Sequence, residues 1–195
     1  MVCSEEHPAP YHNFCMRLFI AVSLPASVIA ELSAISVWLR SNGDELRWSA
    51  PESWHITLQF LGNTSQEQCE CAVSRLREVH LPPVPIQLEG MGFFDRAGVF
   101  FAGVSVAPEL LLLQKRIIAS TEACGFAREA RAFQPHITLA RSKDRGQGLA
   151  GLKTRMRLQP RFTRFVAEEF LLYESFLGSA GARHEVRERF PLHSH

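Results

Sequence analysis

Nowhere do the 195 residues contain an unbroken apolar run of about 18 residues, the length a membrane-spanning helix needs. Charge of one sign is lacking as well. The 21 Lys and Arg against 20 Asp and Glu leave a net charge of +1, and with 46% hydrophobic residues this is the composition of a folded soluble domain rather than a disordered one. The glycine-rich phosphate cradle GxxxxGK is absent, so an ATP-driven ligase is not supported. There is no GxSxG turn and no HExxH pair, whereas catalytic zinc usually takes three protein ligands. The sequence therefore implies neither metal nor cofactor. The five cysteines are irregularly spaced, and Cys69 and Cys71 are too close for a zinc knuckle or a CxxC redox pair. They read as reduced thiols of a cytoplasmic protein.

What is present alternates between strands and helices. "MVCSEEHPAPYHNFC" reads as a flexible N-terminal extension over residues 1–15, ahead of one domain over residues 16–195. "MRLFIAVSLPASVIA" imitates a signal peptide, but Glu5 and Glu6 precede it and the pattern after Pro25 is amphipathic. It therefore reads as a strand to Leu24 and a helix from Ala26 to Leu39. "HITLQFLG" predicts a strand, and residues 65–79 a helix capped at Thr64 or Ser65. Two strands around "DRAG" and a helix over 109–124 ending at Gly125 come next. A strand "HITLAR", a helix "GLAGLKTRMRL" and the final strands "FTRFVAEEFLLYES" and "HEVRERFPL" complete the chain. Hairpin-linked strands mixed with helices argue for an α+β fold over a doubly wound sheet.

One tetrapeptide occurs twice. His-Ile-Thr-Leu begins at His55 and again at His136, 81 residues later, each time in a strand followed by a helix. Alternation along a strand puts His55 with Thr57, and His136 with Thr138, on one face, while the Ile and Leu between them take the other. A single His-x-Thr is most simply a half-buried pair. Packing alone asks only for the Ile and the Leu, and does not ask for His and Thr both times. Two such strands across a groove would offer two imidazoles and two hydroxyls. Imidazole titrates near ~6.5, so one can act as base while the other acts as acid, and the threonines can hold phosphoryl oxygens. The set suits hydrolysis of a phosphodiester. Trp54 and Phe133, beside the two copies, are candidates to stack a base. From Arg141 to Arg164, eight Lys and Arg stand against Asp144 alone, which suits either a phosphate-binding or a solvated face.

The two HxTx copies resemble the signature of the 2H phosphoesterase superfamily. "RLFIAVSLP", "LQFLG", "FQPHITLAR" and "LYESFL" resemble its RNA 2′,3′-cyclic phosphodiesterase branch, historically called 2′-5′ RNA ligase. The resemblance implies a bilobal α+β fold, two antiparallel-sheet lobes with outer helices around a central groove. It also implies metal-independent hydrolysis of 2′,3′-cyclic phosphate ends to 2′-phosphates by a monomer whose partner is RNA or a nucleotide. On matching positions His55 becomes the proton donor, His136 the proton acceptor, Thr57 and Thr138 the phosphoryl ligands, and Arg141 an aid to phosphate binding. Cleavage or joining of 2′-5′ linkages, or a non-enzymatic RNA-binding module, are the alternatives. One departure stands out: where the family tends to carry Gly-x-x-Tyr, this chain reads Gly181-Ala182-Arg183-His184. If that tyrosine stacks on or binds substrate, His184 changes the pocket; taken alone, it reads as a surface strand residue.

Overall fold

The computed structural model describes residues 15–40, 45–142, 148–156, 159–178 and 181–193, so the expected N-terminal extension lies outside the described residues except for Cys15. The apolar run of β1 (Met16–Ser23) is buried from Leu18 to Val22 because it is an inner strand. It pairs antiparallel with β3 (His55–Thr64) on one side and β9 (Glu169–Gly178) on the other, and β10 (Gly181–Pro191) closes the sheet in the order β10-β9-β1-β3. The second sheet runs β2-β7-β6-β5, from β2 (Leu46–Trp48), β7 (His136–Ser142), β6 (Val99–Val104) and β5 (Leu88–Phe94), again antiparallel throughout. A two-stranded piece joins β4 (Val84–Ile86) to β8 (Phe165–Ala167).

Helices α1 (Ala26–Leu39), α2 (Gln66–Leu76), α3 (Pro108–Glu122) and α4 (Leu149–Arg155) connect the strands. Ser65 caps α2 in a reciprocal capping box with Gln68. Pro108 opens α3, and Gly125 follows its end at φ 84°, a left-handed turn that glycine adopts without strain. One hydrophobic core runs through both sheets, with Leu18, Ile20, Ile56, Phe100, Ile137 and Phe170 fully enclosed.

Three features differ from expectation. The strand β2 was not anticipated, because three residues are too few to show alternation and β2 exists through its pairing with β7. "FTRFVAEEFLLYES" divides at Glu168, whose carbonyl accepts from the Leu192 amide, so β8 joins β4 while β9 joins the first sheet. The reading of five reduced thiols is corrected: Cys71 and Cys124 form a disulfide, with Cα atoms 5.8 Å apart. Their helices, α2 and α3, lie side by side although three strands separate them in sequence, so no local spacing announces the pair. Cys15 and Cys69 are free thiols.

Candidate active site

Both copies of His-Ile-Thr-Leu do what alternation requires. Ile56, Leu58, Ile137 and Leu139 are at most 3% exposed, and the histidines and threonines are half-buried on the opposite face. The copies then share a feature that the sequence concealed. Cross-strand pairing skips Leu58 between Ala21 and Ile20, and skips Leu139 between Phe101 and Phe100, so each strand carries a β-bulge at its fourth letter. The extra residue reverses the parity. Gln59 and Ala140 turn inward behind the leucines, and the next residue returns to the histidine face. In β3 that residue is Phe60, 70% exposed; in β7 it is Arg141, also exposed. Opposite each imidazole the neighbouring strand supplies a small residue, Ser23 for His55 and Gly103 for His136.

The imidazoles are oriented alike. Nδ1 of His55 lies 2.7 Å from the Ser53 carbonyl and Nδ1 of His136 lies 2.8 Å from the Gln134 carbonyl, in each case the carbonyl two residues upstream. A carbonyl only accepts, so Nδ1 carries the proton and donates it, leaving Nε2 of each ring as the basic nitrogen. Neither Thr57 nor Thr138 has a side-chain hydrogen-bond partner among the described residues. Strands β3 and β7 approach each other where the two sheets meet, near enough for charge on His136 to act on His55.

Their surroundings differ. Around His55 stand Phe19 at 4.7 Å between ring centroids, His184 at 5.2 Å and Tyr173 at 6.0 Å. Burial lowers the His55 pKa to about 4, with the Ser53 bond opposing and the neighbouring His184 and His136 assisting. Against His136 stand Phe94 at 5.0 Å and Phe101 at 5.3 Å, beside a shallow cavity of about 260 Å³ that Gly90, Met91 and Gln134 also line. Burial lowers its pKa as well, and the Arg141 charge adds to the effect.

Among the residues singled out in sequence, alternation thus puts His55 with Thr57, and His136 with Thr138, on one face of their strands, and the bulge in β7 adds Arg141 to it. Trp54 is elsewhere: it is 5% exposed in the core and offers no free ring face for a base. Phe133 is half-buried against the same core. Much of the described basic stretch is engaged. Lys153 pairs with Asp95 at 2.6 Å, Arg155 donates to the Leu39 carbonyl and Arg164 to Gln87. Phe19, Tyr173 and Phe101 have no signal in the sequence as neighbours of the histidines, and like Phe94 and His184 they are brought there only by cross-strand register. Among the described residues, no three His, Cys, Asp or Glu converge as a metal-binding group.

Known proteins match this arrangement. Residues 24–175 match the 2′-5′ RNA ligase superfamily. The chain is 31% identical, over 85% of its length and 94% of the relative's, to an RNA 2′,3′-cyclic phosphodiesterase of Archaeoglobus fulgidus. It is 29% identical, over 90% of its length and 96% of the relative's, to an RNA 2′,3′-cyclic phosphodiesterase of Escherichia coli. Among solved structures, Escherichia coli LigT complexed with 3′-AMP aligns with a TM-score of 0.79 at 26% identity, covering 91% of this chain and 98% of that one. A Thermus thermophilus protein aligns at 0.76 with 30% identity, covering 92% of this chain and 100% of that one. With two HxTx strands in two antiparallel sheets and this likeness over most of its length, the chain belongs to the 2′-5′ RNA ligase superfamily of 2H phosphoesterases.

Proposed function

We propose that the protein hydrolyses the 2′,3′-cyclic phosphate of an RNA end or nucleotide to a 2′-phosphate, with its own side chains moving the protons. The observation that carries this reading is the doubled unit itself: two imidazoles, each locked by Nδ1 to the carbonyl two residues upstream, each presenting Nε2 beside a threonine. The names of the relatives point the same way.

His136 takes a proton from water on Nε2, and the water oxygen attacks phosphorus. The bond from phosphorus to the 3′-oxygen breaks, and His55 delivers its Nε2 proton to that oxygen. Atoms balance: one water is consumed, one 2′-monoester and one 3′-hydroxyl are formed, and the two histidines end with their protonation states exchanged. Thr57 and Thr138 donate to the non-bridging oxygens, where charge accumulates, and Arg141 offers its guanidinium to the same anion. Free His55, at a pKa of about 4, is neutral at pH 7, so its role as donor depends on the bound phosphate drawing a proton onto it.

The reading carries with it a monomeric, cytoplasmic protein, which gel filtration and cell fractionation test. The activity itself is tested with adenosine 2′,3′-cyclic phosphate in EDTA. The expected product is the 2′-monophosphate alone. Formation of the 3′-isomer, or no turnover, overturns the scheme, and cleavage confined to 2′-5′ linked oligonucleotides replaces it with the 2′-5′ alternative.

A further inference from the structure

The first sheet has a strand without counterpart. In the two pairings that contain the bulges, β1 corresponds to β6 and β3 to β7, and β9 then corresponds to β5. Strand β10 matches nothing in the second sheet, yet it brings His184 against the active-site histidine. The His184 ring stands perpendicular to His55 at 5.2 Å and edge-on to Phe19 at 4.9 Å.

We propose that His184 is a third imidazole of the substrate groove, donating a hydrogen bond from Nε2 to an oxygen of the phosphate ester held at His55. The ligand chemistry rests on the phosphodiesterase reading above; the placement of His184 does not. Its Nδ1 is sealed from solvent and has no hydrogen-bond partner. Nε2 is not among the sealed atoms and is the nitrogen left for a ligand. The rings packed against it are Phe19 from β1 and His55 from β3, and the residue opposite it on β9 is Ser175. None is a carboxylate that would hold an imidazolium. A charged ring would place an unpaired N–H at Nδ1 and a like charge beside His55. Burial also lowers the His184 pKa, in keeping with a neutral ring. The proton of that ring then sits on Nε2, where it serves as a donor, and the unpaired Nδ1 is merely an unused acceptor. A neutral donor can hold an anionic oxygen without competing with His55 for the proton that catalysis moves. His184 is thus a substrate-contacting residue that binds without exchanging protons.

Two variants separate the donor from the ring: His184→Phe keeps a flat ring and removes the N–H, and His184→Gln removes the ring and keeps an N–H. Affinity for adenosine 2′-monophosphate, measured by calorimetry on the full chain, is read apart from turnover of the cyclic ester. His184→Phe is expected to weaken binding about tenfold or more, the effect of losing a hydrogen bond to a charged group, and His184→Gln to recover most of it. In turnover, KM rises in His184→Phe while the pH limbs of kcat stay in place. Unchanged affinity in His184→Phe, or equal losses in both variants, overturns the proposal, as does a displaced pH limb, which would mean that His184 moves protons. If the wild type binds the monophosphate as described but leaves the cyclic ester intact, the phosphodiesterase reading fails and His184 stands. If it binds neither, both fall.

Discussion

His55 lies on β3, the edge of its sheet, whereas His136 lies on β7, an inner strand between β6 and β2. The edge histidine is nevertheless the more enclosed. Phe19, Tyr173 and His184 wall it in, while His136 meets only ring edges and opens on a cavity. The backbone device is the same in both halves, down to the bulge and the upstream carbonyl. What differs is what lies above each ring, and in the proposed scheme the two identical motifs take two chemical roles. Paired titratable groups acquire acid and base assignments when their environments diverge, and duplication followed by unequal enclosure is one route to that divergence.

The strongest way to break the comparison is to remove each imidazole in turn. His55→Ala and His136→Ala are each expected to lower kcat/KM by about 10²–10⁴-fold, as positioned proton transfer usually contributes. If one variant stays within a factor of about two of wild type, the two halves do not act as a pair. The pH profile sharpens the same point. Both imidazoles are held below the ordinary value, so the free pair carries its one working proton only in mildly acid solution. Above pH ~6.5 that proton is lost, and kcat/KM falls about tenfold per pH unit. An optimum on the alkaline side would show that no imidazolium is needed. Thr57→Val and Thr138→Val come next, each expected to lower kcat/KM about tenfold or more through a lost donor to charged oxygen. A clear inequality between them identifies the half that holds the developing charge.

The smallest effects are expected where the halves diverge in sequence, at the residue after the bulge. Arg141→Gln should raise KM severalfold for every cyclic nucleotide and flatten its salt dependence, since in the proposed scheme the guanidinium meets only phosphate. Phe60→Ala should act through base stacking, worth ~1–3 kcal/mol, and should therefore matter more for purine than for pyrimidine substrates. Equal responses across bases would place Phe60 outside the binding surface.

Much of the fold was legible because its signals are local. Helix α1 matches its expected bounds, and the apolar partners Ile56, Leu58, Ile137 and Leu139 are buried as alternation requires. What escaped the sequence is what depends on cross-strand register or on distant packing. Phe19 meets His55 through pairing across the sheet, Cys71 meets Cys124 through the docking of two helices, and His184 reaches the site on the last strand. Trp54 shows the converse: adjacency to a functional residue in sequence carried it to the other side of the strand and into the core.

The bulge after each Leu also fixes a grammar. Groove-facing positions fall at His55, Thr57 and Phe60, and at His136, Thr138 and Arg141, a rhythm of two residues and then three. An unbroken strand would have kept a rhythm of two throughout and presented Gln59 and Ala140 in third place. The chain thereby selects its third groove residue by a phase slip in the backbone, so inserting one residue after Leu58 or Leu139, with the bulge kept, would exchange an aromatic or a cation for an amide or a methyl while leaving every other letter unchanged.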